Sequence, residues 1–152
     1  ELLKIIEWTH VKSRIYITDR SIEAPFPQRR EIWWVRLGYN IGVEANGKNH
    51  LFERPVLVIK AFNADSLFVA PITSTVGTHK FLIRFTNHLG EAKSVNIFQL
   101  RTLSTKRFQR KISELDEDSF NIIIDAIRDH VLIKTEPPQS GGSSESPLGG
   151  RI

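Results

Sequence analysis

The spacing of apolar and polar positions changes character along the chain. Through the first 20 residues Leu2, Leu3, Ile5, Ile6, Trp8, Val11, Ile15 and Tyr16 are set among Lys4, Glu7, Lys12 and Arg14 at imperfect helical intervals, which predicts an N-terminal helix. Pro25 and Pro27 interrupt any regular structure and predict a connector. Glu31-Ile32-Trp33-Trp34-Val35-Arg36-Leu37 is rich in aromatic and β-branched residues and predicts a strand. Pro55-Val56-Leu57-Val58-Ile59-Lys60 reads as a buried-type strand. Further strands are expected at residues 66–72, at 80–85 with Phe81, Ile83 and Phe85 on one face, at 94–98 and at 110–115. Turns are expected at Asn63-Ala64-Asp65 and at residues 87–90. The Gly- and Asn-containing segment 38–53 is too long for a tight turn, and loops of that length in small domains tend to carry function or to move.

A second helix is expected to start near Asp116, which can cap it, with Glu117 and Asp118 close to its positive end. Phe120, Ile123, Ile124, Ile127 and Val131 form its apolar stripe, which fades by Lys134. From Glu136 the run Pro-Pro-Gln-Ser-Gly-Gly-Ser-Ser-Glu-Ser-Pro-Leu-Gly-Gly cannot bury a core and predicts a disordered tail. The expected plan is an N-terminal helix and connector over 1–28, one domain over 29–134 and a tail over 135–152. Short strands followed by a closing helix imply an α+β, mainly β fold: a small SH3-like partial barrel of bent antiparallel sheet with a C-terminal helix, plus an added N-terminal helix. Such a fold does not by itself give a function.

Composition adds limits. The chain of 152 residues is 40% apolar and 25% charged, ordinary for one globular domain. No apolar run approaches the roughly 18 residues that span a bilayer, so no membrane contact and a cytoplasmic location are expected. The absence of cysteine excludes disulfides, thiolate nucleophiles and cysteine zinc sites. Methionine is absent even at position 1, so the true start is expected to be missing, by processing or truncation. A net charge of +4 points weakly to an anionic partner. Arg101, Lys106, Arg107, Arg110 and Lys111 form a basic stretch without an acid, and Glu114, Asp116, Glu117 and Asp118 then reverse the sign. That pattern reads either as a nucleic-acid face beside a self-pairing face or as a solvated loop before an acidic first helical turn.

Candidate chemistry gathers in four collinear pieces. They are Glu31-Ile32-Trp33-Trp34-Val35 with Leu37-Gly38-Tyr39-Asn40-Ile41-Gly42-Val43-Glu44; Arg54-Pro55-Val56-Leu57-Val58; Val69-Ala70-Pro71-Ile72-Thr73-Ser74; and Gln99-Leu100-Arg101-Thr102. Each alone is unspecific. In this order and spacing they resemble the MazF/PemK (Kid) family of toxin endoribonucleases over roughly residues 30–132. The resemblance implies a sequence-specific, metal-independent endoribonuclease that uses the RNA's own 2′-hydroxyl, acts as a homodimer and needs no cofactor. It also implies a small cognate antitoxin, and contact with operator DNA only through the antitoxin complex.

By the same resemblance Arg54 and Thr73 are the catalytic pair. The chemistry suits them: arginine offers a fixed fork of donors to phosphate oxygens, and threonine a hydroxyl that donates and accepts. Taken alone, Arg54 reads more readily as a surface arginine at a strand entry, and Thr73 as a threonine satisfying a turn after a strand. Glu44, Ser74, Phe98, Gln99 and Arg101 are the implied substrate-binding residues. Phe98 reads as a stacking ring or as core, Arg101 as a phosphate contact or a tie within the fold, and Glu44 as a partner of Arg54 or a base edge, or as a solvated acid.

Two departures matter. The family's loop pattern Gly-x-Glu-Gln-x-Gly here runs Gly42-Val43-Glu44-Ala45-Asn46-Gly47, so Ala45 replaces the glutamine. Kid-like members also carry an arginine and an acid where this chain has Asn96 and Phe98, neither of which transfers protons at neutral pH. Activity would then follow the branch built on arginine and threonine. Of His10, His50, His79, His88 and His130, His79 is nearest to Thr73 along the chain and is the one to test as an acid–base group. No pair has metal-ligand spacing, so no metal is expected. The alternatives are a gyrase-binding toxin of the CcdB type and a catalytically inactive interaction module of the same fold.

Overall fold

One strand shows why the sheet is organised as it is. In β2 (Glu53–Ala61) Val56 and Val58 enter one apolar cluster while Leu57 and Ile59 enter another on the opposite face. In β1 (Glu31–Arg36) Ile32 faces one way and Trp33 and Val35 the other; in β3 (Ser66–Thr73) Leu67 and Val69 oppose Ala70 and Ile72. Both faces of the central strands are therefore covered, which accounts for the unbroken apolar run at 56–59. The structure, a computed structural model, describes residues 1–18 and 26–132. The connector at Pro25 and the expected tail lie outside the described residues.

The sheet has seven strands, is antiparallel, and runs in the order β4 (Leu82–Thr86), β5 (Ala92–Asn96), β3, β2, β1, β7 (Phe108–Glu114). The remaining strand, β6 (Arg101–Ser104), pairs with β3 off this path. One edge of β3 is thus shared in succession. Its first half, 66–69, takes β6, with Val69 opposite Arg101; its end takes β5, with Ile72 opposite Val95 and Thr73 opposite Ser94. The result is the bent, unclosed, mainly β sheet expected from the sequence.

The second helix, α2 (Glu117–Ile127), starts where expected. Asp116 Oδ1 accepts from the Ser119 amide at 2.8 Å, and this bond holds the Asp116 carboxyl below its ordinary range. Phe120, Ile123 and Ile127 are buried in the cluster with Ile32, Leu57 and Ile72. Each such side chain contributes about 1.5–3 kcal/mol relative to leaving it exposed. The first helix, α1 (Leu2–Ile17), is attached differently: Trp8 is its one buried residue, and Leu2, Leu3, Ile5 and Ile6 are exposed.

Three expectations need correction. β6 was not foreseen; only Leu103 in it is buried beneath a polar exterior. The strand expected at 94–98 stops at Asn96, whose Oδ1 accepts from the Phe98 amide at 3.1 Å and starts a 3₁₀ turn, Ile97–Gln99. The basic stretch is neither one surface nor a loop. Arg107 donates to Arg36 O and Leu37 O at 3.0 and 3.3 Å. Arg110 pairs with Glu53, and Lys111 with Glu31 and Glu114.

Candidate active site

The segment joining β1 to β2 is tied at its neck by backbone bonds. The amides of Leu37 and Gly38 donate to Phe52 O at 2.9 and 3.2 Å, and the Gly47 amide donates to Gly38 O at 2.7 Å. Gly47 is demanded by close approach, because a Cβ there would lie 1.8 Å from Phe52 O. Phe52 adopts φ +54°, a left-handed conformation that costs an aromatic residue about 1–3 kcal/mol and so must be held by its surroundings. Farther out, Asn40 Nδ2 donates to Ala45 O at 2.8 Å and the Asn40 amide donates to Asn46 Oδ1.

This loop orients Arg54. β2 sets Arg54 opposite Val35. Its Nε donates to Asn46 O, and its Nη1 donates to Ile72 O at 3.3 Å. A guanidinium has five N–H donors; with these two engaged, three remain. No carboxylate forms an ion pair with Arg54 among the described residues; the adjacent Glu53 is taken by Arg110 at 3.3 Å. Burial pushes the Arg54 pKa below its ordinary value, the sign of a charge partly stripped of water. A half-buried cation without a counter-ion, its fork held by carbonyls, favours an anion.

Arg54 opens on a groove of about 480 Å³ that Thr73 and Ser74 also line. Thr73 ends β3, and its Oγ1 accepts from the Thr75 amide at 3.2 Å, which leaves its proton free to donate outward. Ser74 beside it is exposed. The structure therefore brings three of the sequence-derived residues together.

The other four lie elsewhere. Glu44 Oε2 accepts from the Ile41 amide at 3.2 Å within its own turn, and the described bonds of Arg54 do not include it. Gln99 grips the loop from outside: Oε1 accepts from the Ala45 amide at 2.9 Å and Nε2 donates to Val43 O at 2.8 Å. Phe98 is 64% exposed and stacks on Phe81 at 5.7 Å. Arg101, in β6 opposite Val69, sits at the far half of β3.

The groove also contains residues the sequence reading passed over, among them His88, Lys48 and Lys93. His88 lies in the turn between β4 and β5, whereas His79 stacks on Phe81 at 5.2 Å and does not line the groove. Chain distance from Thr73 was the wrong guide; sheet order β4–β5–β3 brings His88 in. Lys93 is paired with Glu91 at 3.0 Å. The two tryptophans of β1 divide by strand alternation. Trp33 is core, with Nε1 donating to Glu31 Oε2 at 2.8 Å, while Trp34 faces the groove with Arg110 over its ring at 5.2 Å. Among the described residues no three His, Asp or Glu side chains converge as a metal site, and none of the described helices is long and apolar enough to cross a membrane.

Residues 28–131 match the family model described as PemK-like, MazF-like toxin of type II toxin–antitoxin system. Solved structures give the same fold. A MazF from Deinococcus radiodurans is similar at 22% identity with a TM-score of 0.58, the match covering 69% of this chain and 96% of that one. The Mycobacterium tuberculosis toxin MazF-mt6 is similar at 22% identity and a TM-score of 0.51, covering 66% and 94%. A mycobacterial endoribonuclease in complex with its cognate antitoxin is similar at 17% identity and a TM-score of 0.53, covering 68% and 92%. Among curated proteins no sequence match is found.

Proposed function

The chain belongs to the PemK-like, MazF-like toxin family of type II toxin–antitoxin systems, and from that premise we propose that it is a metal-independent endoribonuclease that cuts single-stranded RNA at specific sequences. The observation that carries this reading is Arg54: fixed by two carbonyls, without a carboxylate partner among the described residues, and open to one groove with Thr73.

In the proposed reaction the ribose 2′-hydroxyl attacks the adjacent phosphorus and the bond to the 5′-oxygen breaks. The products are a 2′,3′-cyclic phosphate and a 5′-hydroxyl end. The free N–H groups of Arg54 receive the charge that builds on the phosphate oxygens, the kind of stabilisation whose loss typically costs about 10²–10³ in rate. Thr73 donates its hydroxyl to a phosphate oxygen or orients the ribose, and Ser74 binds beside it. His88, the one histidine among the described residues that line the groove, is the side chain there that can take the proton of the 2′-hydroxyl and give one to the leaving 5′-oxygen. Asn96 and Phe98 do no acid–base work in this scheme, consistent with their place outside the groove.

Sequence choice comes from bases splayed off the strand. Trp34 offers a flat groove wall, and the exposed ring of Phe98 extends the track; stacking of this kind is worth about 1–3 kcal/mol per base. Gln99 contributes by holding the loop, Glu44 reads a base edge from the loop's rim, and Arg101 meets a phosphate farther along. The protein works in the cytoplasm as a homodimer. A cognate antitoxin neutralises it, and operator DNA is met only through that complex.

The test is incubation of the purified protein with a long RNA in chelator. Discrete fragments ending in cyclic phosphate and 5′-hydroxyl are expected. Cleavage that needs magnesium contradicts the mechanism, and no cleavage under any condition favours the gyrase-binding or inactive-module alternatives.

A further inference from the structure

The helix that lies outside the family-matched residues is fastened to the loop that holds Arg54, and near its C-terminal end Lys106 Nζ donates to Tyr16 O at 3.3 Å. Trp8 is 9% exposed and is the single buried residue of α1. Its ring lies on Gly38, where a Cβ would come within 2.6 Å of Trp8 Cζ2 and where φ is +102°, so that two independent constraints demand glycine. The same ring meets Phe52 at 5.6 Å and carries the Arg107 guanidinium at 5.5 Å. Lys4, one helical turn before Trp8, places its ammonium 5.9 Å over the ring of Tyr39, which also packs on Phe52 at 6.4 Å.

Gly38 and Phe52 are the two sides of the loop's neck. From there the connection to Arg54 is continuous: Trp8 covers Gly38 and Phe52, Gly38 O accepts from the Gly47 amide, and Asn46, next to Gly47, accepts from Arg54 Nε. The strained residue Phe52 lies under Trp8, which is where packing is needed to keep a left-handed aromatic in place.

We propose that α1 is a built-in clamp on the loop between β1 and β2, with Trp8 the positioning residue that holds Arg54 through Phe52, Gly38 and Asn46. Trp8 touches no reacting atom. It acts by keeping the loop neck closed, so that Nε stays on Asn46 O and the remaining donors of Arg54 stay aimed into the groove. This role rests on the catalytic reading of Arg54, but the closure of the loop does not.

The test uses the full chain with Trp8→Ala, Trp8→Phe and, as a control on the exposed face of the same helix, Ile6→Ser. Three quantities are read: kcat and KM for RNA cleavage in chelator, hydrogen exchange at the Gly38 and Gly47 amides, and the NMR linewidth of the Arg54 Nε–H. Trp8→Ala is expected to speed exchange at both amides, broaden Arg54 Nε–H and lower kcat by about 10- to 100-fold, the scale on which small misplacements act, with KM little changed. Exchange in β2 at Val56 and Leu57 stays slow, which separates an open loop from an unfolded sheet. Trp8→Phe, which keeps a ring on Phe52, recovers most of both the rate and the protection, and Ile6→Ser behaves as the parent. Unchanged loop exchange in Trp8→Ala overturns the clamp. So does an unchanged or increased kcat once the loop has opened. If the parent itself cuts no RNA, the catalytic reading fails, and the exchange and Arg54 signals still decide whether the clamp exists.

Discussion

The two halves of β3 differ in what they are built to do. At the first half, Leu67 and Val69 are buried, β6 closes the edge, and Arg101 lies opposite Val69. At the last residues the edge passes to β5, and Thr73 and Ser74 come out beside Arg54 in a groove. Four residues of strand separate Val69 from Thr73, which at about 3.3 Å per residue is roughly 13 Å. Arg101 is therefore rooted away from the end of β3 at which Thr73 and Arg54 meet. Residues that form one set by resemblance are placed apart by the branching of the sheet: Arg54, Thr73 and Ser74 at one groove, Gln99 on the loop, and Arg101 beside the first half of β3.

Substitutions along that division should show graded effects. Thr73→Val, which keeps shape and removes the hydroxyl, is expected to lower kcat in a single-turnover cleavage assay by about 10²-fold, the scale of losing one positioned donor. An effect below threefold would remove Thr73 from the centre. Gln99→Ala leaves the groove wall intact but frees the Ala45 amide and Val43 carbonyl; the expected loss is near tenfold in kcat, with faster exchange at the Ala45 amide. Phe98→Ala should act on KM, by about fivefold, because a ring outside the groove is expected to give only the lower end of the about 1–3 kcal/mol that one stacked base is worth. Arg101→Ala should change kcat least, by less than about threefold, and weaken RNA binding mainly at low salt, as a phosphate contact on the flank does. If Arg101→Ala equals Thr73→Val, the separation of the two halves has no functional meaning.

Much of this architecture was legible. The apolar run at 56–59, the stripe from Phe120 to Ile127 and the cap at Asp116 carry their structure locally, so pattern alone places β2 and α2. β6 was illegible because Arg101-Thr102-Leu103-Ser104 becomes a strand only through the free edge of β3. The basic stretch misled for a similar reason: its neutralising acids, Glu31 and Glu53, stand on β1 and β2, far away in sequence. At the candidate site, Arg54, Thr73 and Ser74 are singled out by resemblance, and the structure adds why they meet in one groove. His88 and Trp34 had no signal in chain order, since the hairpin of β4 and β5 and the alternation of β1 bring them in. The helix α1 was visible as a helix, but its attachment through one tryptophan to Gly38 was not.

Arg54 is proposed to supply the charge stabilisation for metal-free RNA cleavage, and one measurement addresses that role directly. Single-turnover cleavage of a long RNA in chelator is compared between the parent protein and Arg54→Ala, with thermal unfolding of both recorded. The expected result is a rate lower by at least about 10² in Arg54→Ala, with the melting temperature close to that of the parent. A folded Arg54→Ala protein that cuts RNA in chelator at the parent's rate would contradict the claim.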